Sequence, residues 1–212
     1  MDDELKHYLQ AIIEPQANWI VGLEEQAKEE SIPIMDPLGI SFLMQLIRIH
    51  KPKTILEIGT AIGYSALRMS QAYPKTSIIT IERDKKRYEQ AIHNIKMLDK
   101  QENIHVIFGD ALEKISEMPA NSSFDLIFID AAKGQYKRFF ELTTHFLAEN
   151  GIIISDNVLF RGYVANPNLT DQKRFKKIAG SIREYNDWLM KHPNFITTIV
   201  PVGDGVAISK KK

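Results

Sequence analysis

The sequence contains no cysteine among its 212 residues. Disulfides, thiolate zinc sites and a cysteine nucleophile are therefore excluded, and any metal must be bound by oxygen or imidazole ligands. Long hydrophobic runs are also missing, since no stretch approaches the roughly 18 apolar residues of a membrane span. The acidic start MDDELKHYLQ has no apolar signal-peptide segment. These absences predict a cytoplasmic protein with no membrane partner.

The formal net charge is zero, because 27 Lys plus Arg residues balance 27 Asp plus Glu residues. This balance argues against a protein that coats nucleic acid with a broad basic surface. The charge is unevenly distributed, however: residues 1–30 carry a net charge of −6, and residues 161–183 carry +5. A short basic segment can contact a few phosphates, although it can also be the solvated face of an amphipathic helix.

Hydrophobic periodicity predicts that the N-terminal part of the chain is helical. Residues 3–30 have the spacing of two amphipathic helices interrupted at Pro15, and a third helix over 36–50 begins with the cap Asp36 and with Pro37. After it the chain alternates between β-branched runs and helical stretches. The predicted strands are TILEIG, SIITIE, IHVIFGD, DLIFIDA and GIIISDN, and the helices between them span about 63–73, 84–99, 111–118 and 134–148.

A basic helix over about 170–191 follows, and then FITTIVPVG and GVAISK form a predicted antiparallel hairpin around residues 203–205. Strands that alternate with helices indicate parallel βαβ units covered on both faces. We therefore expect an α/β fold: a doubly wound, Rossmann-like, mostly parallel seven-stranded sheet with an antiparallel C-terminal hairpin. A single domain over 1–212 is predicted, with residues 1–35 as an N-terminal helical cap and 36–212 as the catalytic core.

Candidate ligand residues follow the strands, because ligands of doubly wound sheets lie outside the carboxyl ends of the strands. The first strand leads into a glycine turn over 57–65 in which Gly59 and Gly63 let the backbone approach a ligand closely. The pattern is E-x-G-x-x-x-G, so it lacks the pyrophosphate cradle of G-x-G-x-x-G enzymes. Glu82 ends the second strand, where a carboxylate can accept ribose hydroxyls, and Asp110 follows the third, within reach of an adenine amino group. The turn alone could be a plain β-to-α connection, but the two acids favour a ligand site.

With these three positions the chain resembles the class I S-adenosylmethionine-dependent methyltransferases, over about residues 36–209. The resemblance implies S-adenosylmethionine as cofactor. The cofactor-binding residues that it implies are Met35, Glu57, Gly59, Thr60, Gly63, Ser65, Glu82, Asp110, Ala111 and Asp130.

Asp130 closes the fourth strand, and the pair Asp156-Asn157 closes the fifth. Two carboxylates and an amide oxygen at neighbouring strand ends suit Mg²⁺ or another divalent cation. Asp130 by itself could be only a helix cap. Together with Ala131-Ala132-Lys133, these residues resemble the cation-dependent O-methyltransferases, the catechol and caffeoyl-CoA enzymes. That resemblance implies metal ligation by Asp130, Asp156 and Asn157, and catalysis by Lys133 as general base beside Asp130.

Two positions depart from the caffeoyl-CoA enzymes, which tend to carry an acid at Ala132 and an asparagine at Arg161. The motifs LEIGTAIGYSA and DAAKGQY are closer to bacterial tRNA 5-hydroxyuridine methyltransferases. The resemblance implies methylation of wobble 5-hydroxyuridine in a tRNA anticodon loop to 5-methoxyuridine. Substrate contacts are expected at Arg161, Lys133 and Tyr136, and a homodimer is expected.

Two alternatives stay open. A catechol-like small molecule also offers the two adjacent oxygens that a metal held by three protein oxygens prefers. A non-catalytic binding protein that keeps only the fold would bind no cofactor.

Overall fold

The computed structural model describes residues 3–212, so Asp2, one of the acids counted in the N-terminal segment, lies outside the described residues. The α-helices are α1 (Asp3–Ala11), α2 (Asn18–Glu29), α3 (Pro37–His50), α4 (Tyr64–Ala72), α5 (Lys85–Met97), α6 (Ala111–Ser116), α7 (Tyr136–Thr143) and α8 (Lys173–Met190). The strands are β1 (Thr54–Ile58), β2 (Ser77–Glu82), β3 (Ile104–Phe108), β4 (Phe124–Ile129), β5 (Leu147–Ser155), β6 (Phe195–Val200) and β7 (Val206–Lys211).

The seven strands form one sheet in the order β3-β2-β1-β4-β5-β7-β6. Strands β1 to β5 pair in parallel, and β7 pairs antiparallel with both β5 and β6. The predicted α/β Rossmann-like sheet with its antiparallel C-terminal hairpin is confirmed. The strand order reverses between β1 and β4, and in such sheets a crevice opens there, outside the carboxyl ends of the strands.

Both faces of the sheet are covered. Alternate residues of each central strand enter two different apolar clusters: Ile127 and Ile129 join one with α6, α7 and α8, while Leu126 and Phe128 join the other with α2, α3 and α4. All four of these β4 side chains have 0% exposure. The alternation follows from the period of two along a strand, and burial on both sides explains why the strands read as continuous apolar runs.

Helix boundaries agree with the periodicity except after β4. The helix predicted over 134–148 is shorter: α7 is flanked by 3₁₀ turns at Lys133–Gln135 and Thr144–Phe146, and β5 already begins at Leu147. Leu147 is 4% exposed and pairs with Phe124, so pairing with the neighbouring strand outweighs local helix propensity here. Among residues 3–212, no helix combines the length and the apolar character needed to cross a bilayer.

Candidate active site

A cavity of about 600 Å³ opens at the carboxyl ends of the parallel strands. It is lined by residues at or just after the ends of five consecutive strands of the chain: Gly59, Glu82, Asp110, Asp130 and Asn157. The structure therefore brings together one predicted ligand residue from the end of each of these strands. A cavity of this size at the switch point of a doubly wound sheet is the usual place for a cofactor and its substrate.

The turn after β1 requires glycine. Gly59 has a φ of +102°, and a Cβ at this position would lie 2.1 Å from the backbone oxygen of Asp130. The Gly59 N–H also donates to the Ile81 oxygen at 3.1 Å, which ties the turn to β2. Gly63 has a φ of +84° and precedes α4, where Ala91 of α5 packs against it. Glycine is thus required at Gly59 because the backbone after β4 approaches the turn too closely for a side chain.

Glu82 and Asp110 are held by backbone groups. The two carboxylate oxygens of Glu82 accept the N–H groups of Ala61 at 2.9 Å and of Asp84 at 2.8 Å. Asp110 caps α6, since its Oδ1 accepts from Leu112 N at 2.9 Å. A carboxylate oxygen can accept more than one hydrogen bond, so both oxygens of Glu82 can still accept from a ligand. So can the second oxygen of Asp110, which has no partner in the hydrogen bond above. The cavity wall beside β2 and β3 is therefore suited to a ligand that donates hydrogen bonds from hydroxyl or amino groups.

Four predicted cofactor residues around the glycine turn do not line the cavity: Glu57, Thr60, Gly63 and Ser65. Glu57 is 0% exposed, and its oxygens accept hydrogen bonds from Ser65 Oγ and Thr80 Oγ1, both at 2.5 Å. Thr60 Oγ1 lies 2.6 Å from the same Thr80 hydroxyl. Burial raises the pKa of Glu57 to about 7. Cofactor contacts of Glu57, Thr60 and Ser65 stay predictions. In this structure Ser65 and Thr80 bond to Glu57, Thr60 bonds to Thr80, and this network supports the glycine turn from inside.

Met35 also lies outside the cavity wall. It is 4% exposed and packs over Gly39 of α3, while the preceding residues Pro33 and Ile34 line the cavity instead. The wall is therefore formed by the residues just before the predicted one, because Met35 turns into the apolar cluster beneath the sheet.

The end of the cavity after β4 and β5, called here the acceptor end, holds the half-buried Asp130 in its wall. Asp156 is 2% exposed and lies next to lining residue Asn157, outside the cavity lining itself. Burial raises the pKa of Asp130 and of Asp156, the negative charge of Asp130 raises the pKa of Asp156 further, and the Lys133 ammonium opposes both shifts. Asn157 Nδ2 donates to Asp156 Oδ2 at 3.1 Å. The Lys133 ammonium donates to the amide oxygen of Asn157. One cation thus already lies among the three oxygens that the sequence predicts as metal ligands.

These residues fit a divalent cation. Two carboxylates and an amide oxygen are hard ligands, and two neighbouring like charges balanced by one ammonium leave negative charge uncompensated. Within residues 3–212, no three His, Asp or Glu side chains are grouped closely enough to hold a metal, so such a site depends on the amide of Asn157. Asp130 caps no helix: the next turn begins at Lys133, and its cap residue Ala132 makes no side-chain bond. The capping alternative for Asp130 is therefore excluded.

The segment after Asn157 is unusual in its backbone. Asn157, Phe160 and Arg161 have φ values of 54°, 42° and 56°. Positive φ costs free energy for residues with side chains and persists only where neighbours fix it. One such neighbour is Asn186 of α8, whose Nδ2 donates to the Val158 oxygen at 2.8 Å. This bent segment turns Arg161 onto the cavity wall.

Of the predicted substrate residues, Lys133 and Arg161 line the cavity but Tyr136 does not. Tyr136 is 1% exposed, and its hydroxyl donates to the backbone oxygen of Asp156 at 3.1 Å. A contact of Tyr136 with substrate stays a prediction, and in this structure α7 packs the Tyr136 ring into the core. It supports the backbone of Asp156 from below.

Sequence reasoning missed several residues of the cavity wall. They are Arg83 and Arg87 beside Glu82, Phe139, and Asp204 in the β6–β7 turn; Phe160 and Arg174 also line the cavity. Arg174 belongs to the basic segment already identified by its charge. Asp204 is 47 residues from Asn157 in the chain, and only the pairing of β7 with β5 brings it to this cavity.

A sequence model of the family described as "O-methyltransferase" matches residues 19–212. The chain is 30% identical over 187 residues to the O-methyltransferase ankF of Aspergillus thermomutatus, covering 83% of this chain and 78% of that protein. It is 28% identical over 189 residues to a catechol O-methyltransferase of Niastella koreensis, covering 84% and 86%.

Solved structures agree with these matches. A Staphylococcus aureus protein provisionally described as a caffeoyl-CoA O-methyltransferase superposes with a TM-score of 0.91 at 34% identity, over 100% of both chains. The SAH-bound methyltransferase PaMTH1 of Podospora anserina superposes with a TM-score of 0.90 at 27% identity, over 99% of this chain and 94% of that one.

Proposed function

The chain belongs to this O-methyltransferase family and is an S-adenosylmethionine-dependent O-methyltransferase, and from that premise we propose that its acceptor is 5-hydroxyuridine in tRNA. In this proposal the 5-hydroxyl of the wobble base is methylated to give 5-methoxyuridine, with a divalent cation such as Mg²⁺ held by Asp130, Asp156 and Asn157. A wobble base is already single-stranded, so moving it into the cavity costs little unstacking free energy.

The observation that carries the proposal is the charge of the cavity mouth. Arg161 and Arg174 line the cavity together with Lys133. Next to them the first turns of α8 expose Lys173, Lys176 and Lys177, and none of these forms an ion pair in the part of the chain that the structure describes. Cations left without protein partners around an acceptor site suit a substrate that carries phosphates.

The residues of the acceptor end suggest how the reaction proceeds. When bound, S-adenosylmethionine supplies an electrophilic methyl group, and a divalent cation at the three oxygens would favour the deprotonated acceptor hydroxyl. Lys133 in its neutral form would accept the hydroxyl proton at Nζ as the methyl–sulfur bond breaks and the methyl–oxygen bond forms. Asp130 and Asn157 would hold the Lys133 side chain beside the hydroxyl, so that positioning supplies much of the rate.

A second candidate acceptor is a catechol-like small molecule. Among the relatives, the Niastella koreensis protein is named a catechol O-methyltransferase, and the same cavity has an apolar side formed by Ile34, Phe139 and Phe160. An aromatic ring with two adjacent hydroxyls fits this side as well as a pyrimidine does. The basic mouth, however, has no role with a neutral catechol.

The test is to incubate the protein with S-adenosylmethionine and tRNA that contains 5-hydroxyuridine, with and without EDTA, and to analyse the nucleosides by mass spectrometry. We expect 5-methoxyuridine only when the divalent cation is available. Absence of the product in a protein that binds S-adenosylmethionine would contradict the tRNA proposal. Efficient methylation of free catechol without any effect of tRNA would favour the second candidate.

The basic mouth is tested by replacing Lys173, Lys176 and Lys177 together by alanine. We expect the apparent KM for tRNA to rise about tenfold near physiological salt. Its salt dependence should become shallower by about one unit for each phosphate that the variant no longer binds. Replacement of the exposed Lys75, Lys96 and Lys191 provides a control with the same change of charge away from the cavity. Equal effects of both triple variants would contradict a phosphate role for α8.

Assembly and location stay predictions. The prediction of a homodimer agrees with the exposed apolar side chains at the N-terminus, which a partner subunit could cover. Leu5 and Tyr8 of α1 are 49% and 61% exposed, and Ile12, just after α1, is 60% exposed. Sedimentation of the full chain measures this directly, and a monomer at micromolar concentration would contradict it. A cytoplasmic location stays an expectation from the sequence.

A further inference from the structure

The tip of the β6–β7 hairpin contacts the acceptor end of the cavity through its backbone. The Gly205 oxygen accepts from Val158 N at 3.0 Å. The Asp204 oxygen accepts from Leu159 N at 2.8 Å and from Phe160 N at 3.1 Å. Three hydrogen bonds therefore fix the hairpin tip against the segment that directly follows Asn157.

Close packing fixes the same tip from both sides. Gly205 has a φ of +88°, and a Cβ there would lie 2.4 Å from Leu159 Cγ. On the other side, a Cβ on Gly203 would lie 3.4 Å from backbone atoms of Gly39 in α3. The backbone of Asp204 is held between these two glycines, so the position of its side chain is set by the fold.

Asp204 lines the cavity, as do Asp130 and Asn157. Among residues 3–212 it accepts no side-chain hydrogen bond and forms no ion pair. Its carboxylate is close enough to those of Asp130 and Asp156 for the like charges to repel. A carboxylate at the cavity with both oxygens free of protein partners is suited to accept a hydrogen bond from the bound acceptor.

We propose that Asp204 is a specificity-determining residue that accepts a hydrogen bond from the N3–H group of the 5-hydroxyuracil ring. This inference rests on the proposed function. Along one edge of that ring the 5-hydroxyl, the O4 carbonyl and N3–H follow one another. With the two oxygens directed to a divalent cation that Asp130, Asp156 and Asn157 would hold, the N–H donor is the next group along the ring edge, toward Asp204.

The proposal accounts for discrimination between the two candidate acceptors. A catechol has a C–H group where the pyrimidine has N3–H, so it would leave the Asp204 carboxylate partly desolvated and without a donor. Sites built around a substrate hydrogen bond reject analogues that lack the donor much more strongly than apolar pockets reject a missing methylene group.

The experiment compares two synthetic anticodon stem-loops, one with 5-hydroxyuridine and one with its N3-methyl derivative at the wobble position. Dissociation constants are measured by calorimetry with S-adenosylhomocysteine and Mg²⁺ present, and methylation rates are measured in parallel. The proteins are the wild type, Asp204→Ala, Asp204→Asn and the exposed control Asp187→Ala, each checked by thermal unfolding.

We expect wild type to bind the 5-hydroxyuridine stem-loop about tenfold more tightly than the N3-methyl one, and Asp204→Ala to remove most of this preference. Asp204→Asn should keep most of it, because an amide oxygen also accepts a hydrogen bond. Equal weakening of both stem-loops by Asp204→Ala, or an unchanged preference, would overturn the inference and leave the proposed function intact. Failure of wild type to bind and methylate the 5-hydroxyuridine stem-loop would overturn both.

Discussion

Both ends of the cavity hold carboxyl groups, but they compensate them in different ways. At the end beside β1 and β2, the cofactor end, Glu82 and the Glu57 behind it accept hydrogen bonds from hydroxyl and backbone N–H groups, and neither forms an ion pair within residues 3–212. At the acceptor end, Asp130 and Asp156 repel each other, and the Lys133 ammonium opposes this repulsion. At the cofactor end, hydroxyl and N–H dipoles therefore stabilise the carboxyl groups without any ligand. At the acceptor end, negative charge remains that a bound cation would neutralise.

This difference predicts that substitutions at the two ends separate binding from turnover. The largest effect is expected for Asp156→Ala, which removes a predicted metal ligand. Loss of a neighbour of a metal ligand already costs about 10–100-fold, so loss of the ligand itself should lower metal-dependent turnover about 1000-fold. Affinity for S-adenosylmethionine should stay nearly unchanged, as measured by calorimetry. A parallel loss of cofactor affinity would show that the two ends are not independent.

The next largest effect is a pH dependence of stability that we expect from Glu57. Its pKa is raised from 4.5 to about 7, so between these values the folded protein binds more protons than the unfolded chain. The contribution of Glu57 to the free energy of unfolding is therefore largest below pH 4.5. It decreases by up to about 3 kcal/mol as the pH rises to 7.

Glu57→Gln removes this titration while keeping a similar shape. The difference in unfolding free energy between wild type and variant, measured by urea denaturation from pH 5 to 8 without cation or cofactor, should shift steadily against wild type as the pH rises. A difference that is constant with pH would refute the buried, protonated state of this carboxyl group.

Lys133→Met is expected to lower turnover about 100-fold, the lower part of the range for a general base. Cofactor affinity should again be unaffected, because Lys133 lies at the acceptor end. Lys137→Met is the matched control: Lys137 is in the adjoining helix, its ammonium lies over Trp188, and it is half-exposed. If both variants reduced the rate equally, the role of Lys133 would be electrostatic and unspecific.

The smallest effect is expected for Glu82→Ala, and it should fall on binding. Loss of a carboxylate that can accept ribose hydroxyls should weaken S-adenosylmethionine about tenfold, with little change in the rate at saturating cofactor. Glu89→Ala, on the exposed side of α5, serves as control. A fall in the saturated rate without a fall in affinity would contradict the division between the two ends.

The cofactor end could largely be predicted from the sequence. Gly59, Glu82 and Asp110 each lie at the end of a β-branched run, and the carboxyl ends of parallel strands meet at one edge. The structure departs from the expectation at residues whose side chains face away from the cavity. Glu57 and Ser65 are near the turn in sequence, but their side chains bond to each other inside the sheet.

The local sequence pattern determined the order of the helices and strands, the parallel sheet and the residue types at the strand ends. It could do so because hydrophobic periodicity, apolar runs and turn residues are signals within short stretches of chain. Only the tertiary structure decided which side chains face the cavity and which face the core. It also decided that the hairpin tip with Asp204 closes the acceptor end, because β7 inserts between β5 and β6. That contact joins residues far apart in the chain, and its free energy comes from pairing and packing that no local pattern contains.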